Sequence, residues 1–446
     1  MTASTVTFAM IGAVAAICAT QLHAQGTPPQ QPASAFSNDL SMVDYHFPAR
    51  ADLYRLSRQY FLPGDGIAIV ERLNHIRDPH RIPTGSILKI PLSLLRTEPL
   101  VAHIAAVRGD VRVTGPVQTA SLGAVIPPGT TLETGADGFV TLEMPNGSRT
   151  SLPTRSRLRV LVLRRVLLTG RVDYDLEVSA GKAETEATPI APGTGSFRIR
   201  TPHAVSAVRG TRFRVGFGDG QSEAEVLEGL VGVGAGTAPA QDIPKGFGAA
   251  ISDAGAITKE TLLPAPDLLN PGRVQVDPEI ALHFAPVAGA AAYHLQVAED
   301  AAFLNIVAEA TTPSPDFVLP SLANGTWFVR GTAISPSHIE GMQQTYTMRR
   351  VLTGLTASAS GDTSAMHFNW SGAGDGRRVY HFQLMRDSEA SLPIIDEPGL
   401  ETDGLVLRNL APGIYFWRLG MRRLASDGMT ENWVPFEKLT VAPPER

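Results

Sequence analysis

The chain has 446 residues, 43% hydrophobic and 18% charged, and 38 Lys and Arg against 43 Asp and Glu give a net charge of -5. A chain this long outgrows one core and predicts three or four domains. The missing basic excess argues against nucleic acid as a partner, and the single cysteine, Cys18, leaves no intramolecular disulfide and no thiolate metal site.

Residues 8–19 form an apolar run of small residues, as long as a signal-peptide core and too short to span a bilayer. Leu22-His23-Ala24 fits a cleavage site. Residues 1–24 are therefore expected to be a signal peptide, and the Gln/Pro-rich residues 25–37 an extended linker. Residues 2–7 carry no Lys or Arg, unlike the usual basic start. A buried N-terminal helix is the alternative. Later runs are too short or too charged to be transmembrane; residues 160–168 are interrupted by Arg164 and Arg165.

Residues 38–96 change character. Asp52 is placed to cap a helix with Leu53, Leu56 and Tyr60 on one face. Ile69, Val70, Leu73 and Ile76 predict a second helix. Strands are expected at 44–47 and 87–90. The run Tyr45-x-Phe47, Leu53-x-x-Leu56-Ser57, Tyr60, Leu73-Asn74-x-Ile76-x-Asp78-Pro79, Ile82-Pro83-x-Gly85 and Leu88-x-Ile90-Pro91 resembles a LysM domain. That resemblance implies a β-α-α-β module that binds N-acetylglucosamine-containing glycans such as peptidoglycan. It also implies a groove walled by Pro48, Ala49, Arg50, Ala51, Asp52 and Leu53 on one side and by Asn74, His75, Ile76 and Arg77 on the other. Arg50-Ala51-Asp52 stands where that family has Gly-Asp-Thr. Arg50 either blocks the groove or offers an alternative polar contact. Asn74 has a plainer reading as the cap of the second helix.

Short strands separated by Pro127-Pro128-Gly129, Asp137-Gly138, Asn146-Gly147 and Asp219-Gly220 fill residues 103–233. Phe213, Val215 and Phe217 alternate with Arg212, Arg214 and Gly216, so one face is expected to be apolar and the other wet. A hairpin turn at Asp219-Gly220 places Arg214 opposite Glu225 and Phe213 opposite Val226. Val107-Arg-Gly-Asp-Val-Arg-Val113 echoes Val208-Arg-Gly-Thr-Arg-Phe-Arg-Val215, which suggests two related β layers, packed face to face or stacked. Arg155, Arg157, Arg159, Arg164, Arg165 and Arg171 form a basic stripe, read as a solvated face balanced by Asp173, Asp175 and Glu177, with contact to an acidic polymer or a partner as the alternative. The motifs Arg200-Thr201-Pro202, Ala207-Val208-Arg209-Gly210-Thr211, Phe213-Arg214-Val215 and Val226-Leu227-Glu228-Gly229 resemble the FecR domain of bacterial envelope proteins. The likeness covers roughly residues 101–257, and the domain is placed at 99–257. It implies an all-β fold and no transferable chemistry. Gly232-Val-Gly-Ala-Gly236 lacks the Lys-Ser/Thr and the helix a phosphate loop needs.

Residues 258–271 are proline-rich and read as a linker. Beyond them lies a duplication with a period of roughly 87 residues, about one β-sandwich. Ala281-Leu-His-Phe284 corresponds to Met366-His-Phe-Asn-Trp370, Tyr293-His-Leu-Gln-Val297 to Tyr380-His-Phe-Gln-Leu384, and the stretch ending at Arg330 to the one ending at Arg418. The pair, placed at 272–352 and 353–443, resembles fibronectin type III domains. Trp327, Trp370, Tyr415 and Trp417 read as core fillers.

Chemistry is sparse. His75, Asp78 and His80 lack the one-face helix spacing and the third ligand of a zinc site. No Gly-x-Ser-x-Gly or His-Glu-x-x-His motif occurs. The expectation is a mainly β chain: a small β-α-α-β module, a FecR-like all-β domain and two tandem β-sandwiches. It would be exported to the periplasm or cell surface and hold peptidoglycan without catalysis, cofactor or metal. It would present its other surfaces to an envelope protein still to be identified. A periplasmic sensor in envelope signalling is the alternative.

Overall fold

The computed structural model describes residues 42–117, 119–236, 239–277, 279–319, 322–426 and 428–442. The expected signal peptide and linker lie outside the described residues. The described chain is mainly β, and the two helices longer than one turn fall in the first module.

That module runs strand Met42–His46, helix Leu53–Tyr60, helix Gly66–Leu73, strand Ile87–Pro91, with the two strands antiparallel and Val43 opposite Ile90. Asp52 accepts a hydrogen bond from the Tyr54 amide and so starts the first helix. The second helix differs from its expected pattern. It ends at Leu73, so Ile76 packs from the following loop, and its core face is Gly66, Ile67 and Val70 while Leu73 is exposed. Gly66 sets this phase: a Cβ there would lie 2.8 Å from the Phe61 ring, so the helix packs closely at its first turn.

Residues 97–261 form two facing sheets around one core. Across the first sheet the strands are Val111–Thr114, Thr131–Thr134, Arg157–Val166, the front half of Val172–Glu186, Gly195–Arg200, Val205–Val208, Leu230–Gly234 and Gln241–Pro244. Across the second they are Val125–Ile126, Ala102–Arg108, Phe139–Glu143, Arg149–Leu152, the rear half of Val172–Glu186, Arg212–Gly218, Gln221–Glu228, Phe247–Ile251 and Ile257–Thr261. Leu158, Leu176, Phe197 and Val231 from one sheet meet Leu142, Phe213, Val215 and Val226 from the other. The hairpin register is the expected one, with Phe213 opposite Val226 and Arg214 opposite Glu225. The two Val-Arg-Gly echoes mark equivalent crossings, where the chain leaves one sheet for the other through Gly109 at φ +64 and Gly210 at φ +67. A Cβ on Gly109 would come within 2.0 Å of the Asp137 carbonyl oxygen, so only glycine fits that crossing.

The FecR-like sheets extend into the stretch read as a linker, because Ile257–Thr261 pairs with Phe247–Ile251. The first sandwich combines the pair Ile280–His283 and Asp316–Leu319 with a sheet ordered Ile306–Thr312, Ala292–Ala298, Gly325–Ile334, Gln344–Arg350. The second repeats the plan with three strands against five. Trp370, Tyr415 and Trp417 are buried core residues, and Trp327 packs against the first sandwich's core half-buried.

These modules are not separate beads. Val166 and Leu168, from the FecR-like domain, pack in the core of the first module, and the Leu167 amide donates to the Arg96 carbonyl at 3.1 Å. The second FecR-like sheet lays its outer face on the four-stranded sheet of the first sandwich. Two apolar clusters hold the ends of this joint: Phe139 with Ala298, Phe303 and Ile306, and Leu227, Ala250 and Leu262 with Ile339.

Candidate functional site

The expected glycan-binding residues divide. Asn74, His75, Ile76 and Arg77 line a groove of about 330 Å³ together with Asp78, Arg81, Ile82, Pro83, Ser86, Ile87 and Leu88. Its lining mixes polar side chains, among them Arg77, Asp78, Arg81 and Ser86, with apolar Ile76, Ile82, Ile87 and Leu88. Pro48, Ala49, Arg50, Ala51, Asp52 and Leu53 are not among its lining residues. Leu53 is fully buried in the module's core, and Asp52 is occupied as the helix cap. Pro48, Ala49 and Arg50 form an exposed turn closed by the Ala51 amide on the Pro48 carbonyl, with Arg50 at φ +61. That left-handed backbone is the one glycine favours. The turn still adjoins the groove loop through Gly85 donating to the Phe47 carbonyl and Phe47 to the Ser86 carbonyl.

Asn74 takes its plainer role. Its amide nitrogen donates to the Val70 and Lys89 carbonyls at 2.8 Å, and its oxygen accepts from the Lys89 amide at 2.7 Å. It staples the second helix to the last strand and so fixes the groove wall. His80 stacks on Tyr54 with ring centroids 5.1 Å apart. Among the described residues, no group of three or more His, Cys, Asp or Glu is arranged to hold a metal ion. Nor is any described helix long and apolar enough to cross a membrane.

Two members of the basic stripe pair as expected: Arg164 and Arg171 reach Asp173. Arg157 finds Glu133 and Arg165 finds Glu98 instead, and Asp175 is held by Arg198 and Arg200, which lie outside the stripe.

The face expected to be wet is buried. Arg214 is 3% exposed, Glu223 5% and Glu225 0%. Lys182 Nζ lies 3.1 Å from Glu223, 3.2 Å from Glu225 and 3.5 Å from Glu340 of the sandwich. Arg214 pairs across the joint with Glu340 at 3.1 Å rather than with its strand neighbour Glu225, and donates to the Gly341 carbonyl at 2.7 Å. Glu184 holds Arg212 at 2.9 Å and Arg330 at 2.6 Å. His294 stands between Glu309 at 2.6 Å and Glu340 at 2.9 Å, and Thr154 donates to Glu309 from its hydroxyl and its amide.

Burial and charge compete at each group. Burial pushes the Glu184 carboxyl up, but Arg330 and Arg212 outweigh it and hold it at about 2. Burial likewise opposes ionisation of Glu340, yet Arg214, His294 and Lys182 hold it well below the usual carboxylate range. Burial lowers the His294 pKa, and Glu340 and Glu309 more than reverse this, to about 9. Glu223 goes the other way: burial, aided by Glu225, lifts it to about 7 against the pull of Lys182.

Sequence reasoning missed this joint because its two halves lie more than a hundred residues apart. The only signal was the clustering of long charged side chains on one strand face, which reads equally well as a solvated surface.

No curated protein matches the chain. Several solved structures resemble parts of it. A candidate anti-sigma factor from Parabacteroides distasonis has 17% identity and a TM-score of 0.25, covering 29% of this chain and 59% of that one. The chain thus spans 59% of that protein's length. A two-domain fibronectin type III segment of chicken tenascin has 16% identity and a TM-score of 0.19, covering 40% of this chain and 100% of that one. Fibronectin(III)-like modules of Clostridium thermocellum CbhA have 10% identity and a TM-score of 0.19, covering 38% and 88%. Residues 130–232 match the family described as FecR protein, so the chain carries a FecR domain in the centre of its two-sheet body.

Proposed function

We propose that this chain is a non-catalytic protein of the bacterial envelope. It is exported to the periplasm or cell surface and holds peptidoglycan, or another N-acetylglucosamine-containing glycan, in the groove of its first module. The FecR domain and the sandwiches present surfaces to a protein partner. The observation that carries the reading is the groove itself: about 330 Å³, open, and lined by polar Arg77, Asp78, Arg81 and Ser86 beside apolar Ile82, Ile87 and Leu88. Co-sedimentation of the full chain with purified sacculi tests it. The chain is expected in the pellet, and Ile87→Asp, a change at an exposed residue lining the groove, is expected to lower retention roughly tenfold with an unchanged melting temperature. A chain that stays in the supernatant removes the reading. Arg50→Gly tests the turn: it suits the left-handed backbone and clears the approach, so retention is expected to rise.

A second reading, a regulator of envelope signalling, is favoured by the FecR match. FecR-type domains occur in proteins that relay outer-membrane receptor occupancy to a sigma factor. Transcript profiles with and without the chain test it. A change confined to a small set of promoters supports it, and identical profiles remove it.

A further inference from the structure

The joint between the FecR-like domain and the first sandwich has an arrangement unlike a simple apolar contact. Its ends are apolar and its centre is ionic. The centre holds the cations Lys182, Arg212, Arg214 and Arg330 and the anions Glu184, Glu223, Glu225, Glu309 and Glu340. Four fixed cations face five carboxylates, so the enclosed charges balance only when one further proton is held.

The geometry shows where protons go. Each ring nitrogen of His294 faces a carboxylate, Nε2 toward Glu309 and Nδ1 toward Glu340. A neutral imidazole has one N–H, so one carboxylate would meet a lone pair; the arrangement calls for imidazolium. Three carboxylates, from Glu223, Glu225 and Glu340, converge on the one ammonium of Lys182. One ammonium does not neutralise three carboxylates, and Glu223 is the one with neither an arginine nor a histidine beside it. Glu260, hydrogen-bonded to Ser335 and Ser337, and the Asp219–His338 pair lie at the rim.

We propose that this joint is an acid-tightened clasp: docking the sandwich on the FecR-like face takes up protons, so the joint closes on acidification and loosens as the medium turns alkaline. The titration directions agree. His294 in the docked state holds its proton to about pH 9, and its contribution, full below about 6.5, is lost as pH rises through 9. Glu223 is protonated up to about 7 when docked, so the closed joint takes up a proton between about 4.5 and 7, and above that a third ionised carboxylate crowds the Lys182 ammonium. Both groups therefore favour the open form as pH rises. Glu184 and Glu340 stay ionised down to low pH, so mild acid does not undo the pairs they make. The inference goes beyond glycan binding and does not depend on it.

Hydrogen exchange of the full chain, expressed as protection relative to the intrinsic rate at each pH, tests the clasp. Amides of Gln221–Glu228 and of residues 339–342 are expected to be roughly ten times better protected at pH 6 than at pH 9, with Arg377–Arg386 in the second sandwich unchanged. Equal protection at both values overturns the proposal. Glu223→Gln is expected to flatten the profile below pH 8, and a profile that still follows the wild type also overturns it. Should that variant fail to fold, ring titration of His294 by NMR in the unaltered protein decides: a midpoint near 9 supports the clasp, and one at or below 6.5 overturns it.

Discussion

The two sandwiches carry the same polar constellation in two settings. In the first, His294 meets Glu309, Gln296 Nε2 donates to Glu309 at 2.9 Å, and Arg330 Nε donates to Gln296 at 2.8 Å. In the second, His381 meets Asp396, Gln383 Nε2 donates to Asp396 at 3.0 Å, and Arg418 Nε donates to Gln383 at 2.8 Å. The FecR-like domain roofs the first copy. The second keeps Asp396 exposed and covers Arg418 with the rings of Trp433 and Phe436, 4.4 and 4.6 Å from the guanidinium carbon. One position marks the divergence. Thr332, opposite His294, donates to Glu340 at 2.6 Å, whereas Gly420, opposite His381, leaves room for Trp433, which a Cβ would meet at 2.7 Å. The same side chains thus serve as a surface network or as half of a buried joint, according to what the neighbouring residue admits.

The comparison can be broken most forcefully at the arginines. Arg330→Met leaves Glu184 buried with one partner fewer, and is expected to cost about 3–5 kcal/mol in denaturant unfolding. Arg418→Met in the second copy is expected to cost about 1 kcal/mol or less. Equal losses would mean that the roof adds nothing. Next in size, Gly420→Thr makes the second copy resemble the first. It is expected to displace Trp433 and destabilise by about 1–3 kcal/mol, with a change in tryptophan fluorescence. A smaller effect is tied to pH. His294→Gln is expected to remove the stability that the wild type loses as pH rises through about 9, so the two proteins converge in melting temperature at pH 10 and separate at pH 6. His381→Gln is expected to shift melting less than His294→Gln at pH 6. The smallest effect is on salt. Raising ionic strength to 0.5 M, a Debye length of about 4 Å, is expected to weaken the exposed His381–Asp396 pair and leave the Arg214–Glu340 pair nearly unchanged, as read from double-mutant cycles at each pair.

The groove was legible on one side only. The helix-and-loop pattern around residues 73–91 gave the β-α-α-β order, and the four residues it marked as a wall, Asn74–Arg77, line one groove. The opposite wall did not follow, because Leu53 lies on the helix's core side and Asp52 is engaged by the Tyr54 amide. The second helix was placed out of phase because Ile76 continues the apolar spacing beyond the residue where the backbone stops being helical.

Sequence by itself determined the strands, the Asp219-Gly220 hairpin with its register, and the duplication in the C-terminal half. Each is written locally, since a two-residue period or a turn dipeptide acts on neighbours in the chain. Tertiary structure alone decided that the charged face of Arg212–Gly218 and Gln221–Glu228 is interior, and that one copy of the His-Gln-Arg network is covered while the other is open. A carboxylate facing water and one facing a distant guanidinium are the same letter, and only the approach of two sheets separates them.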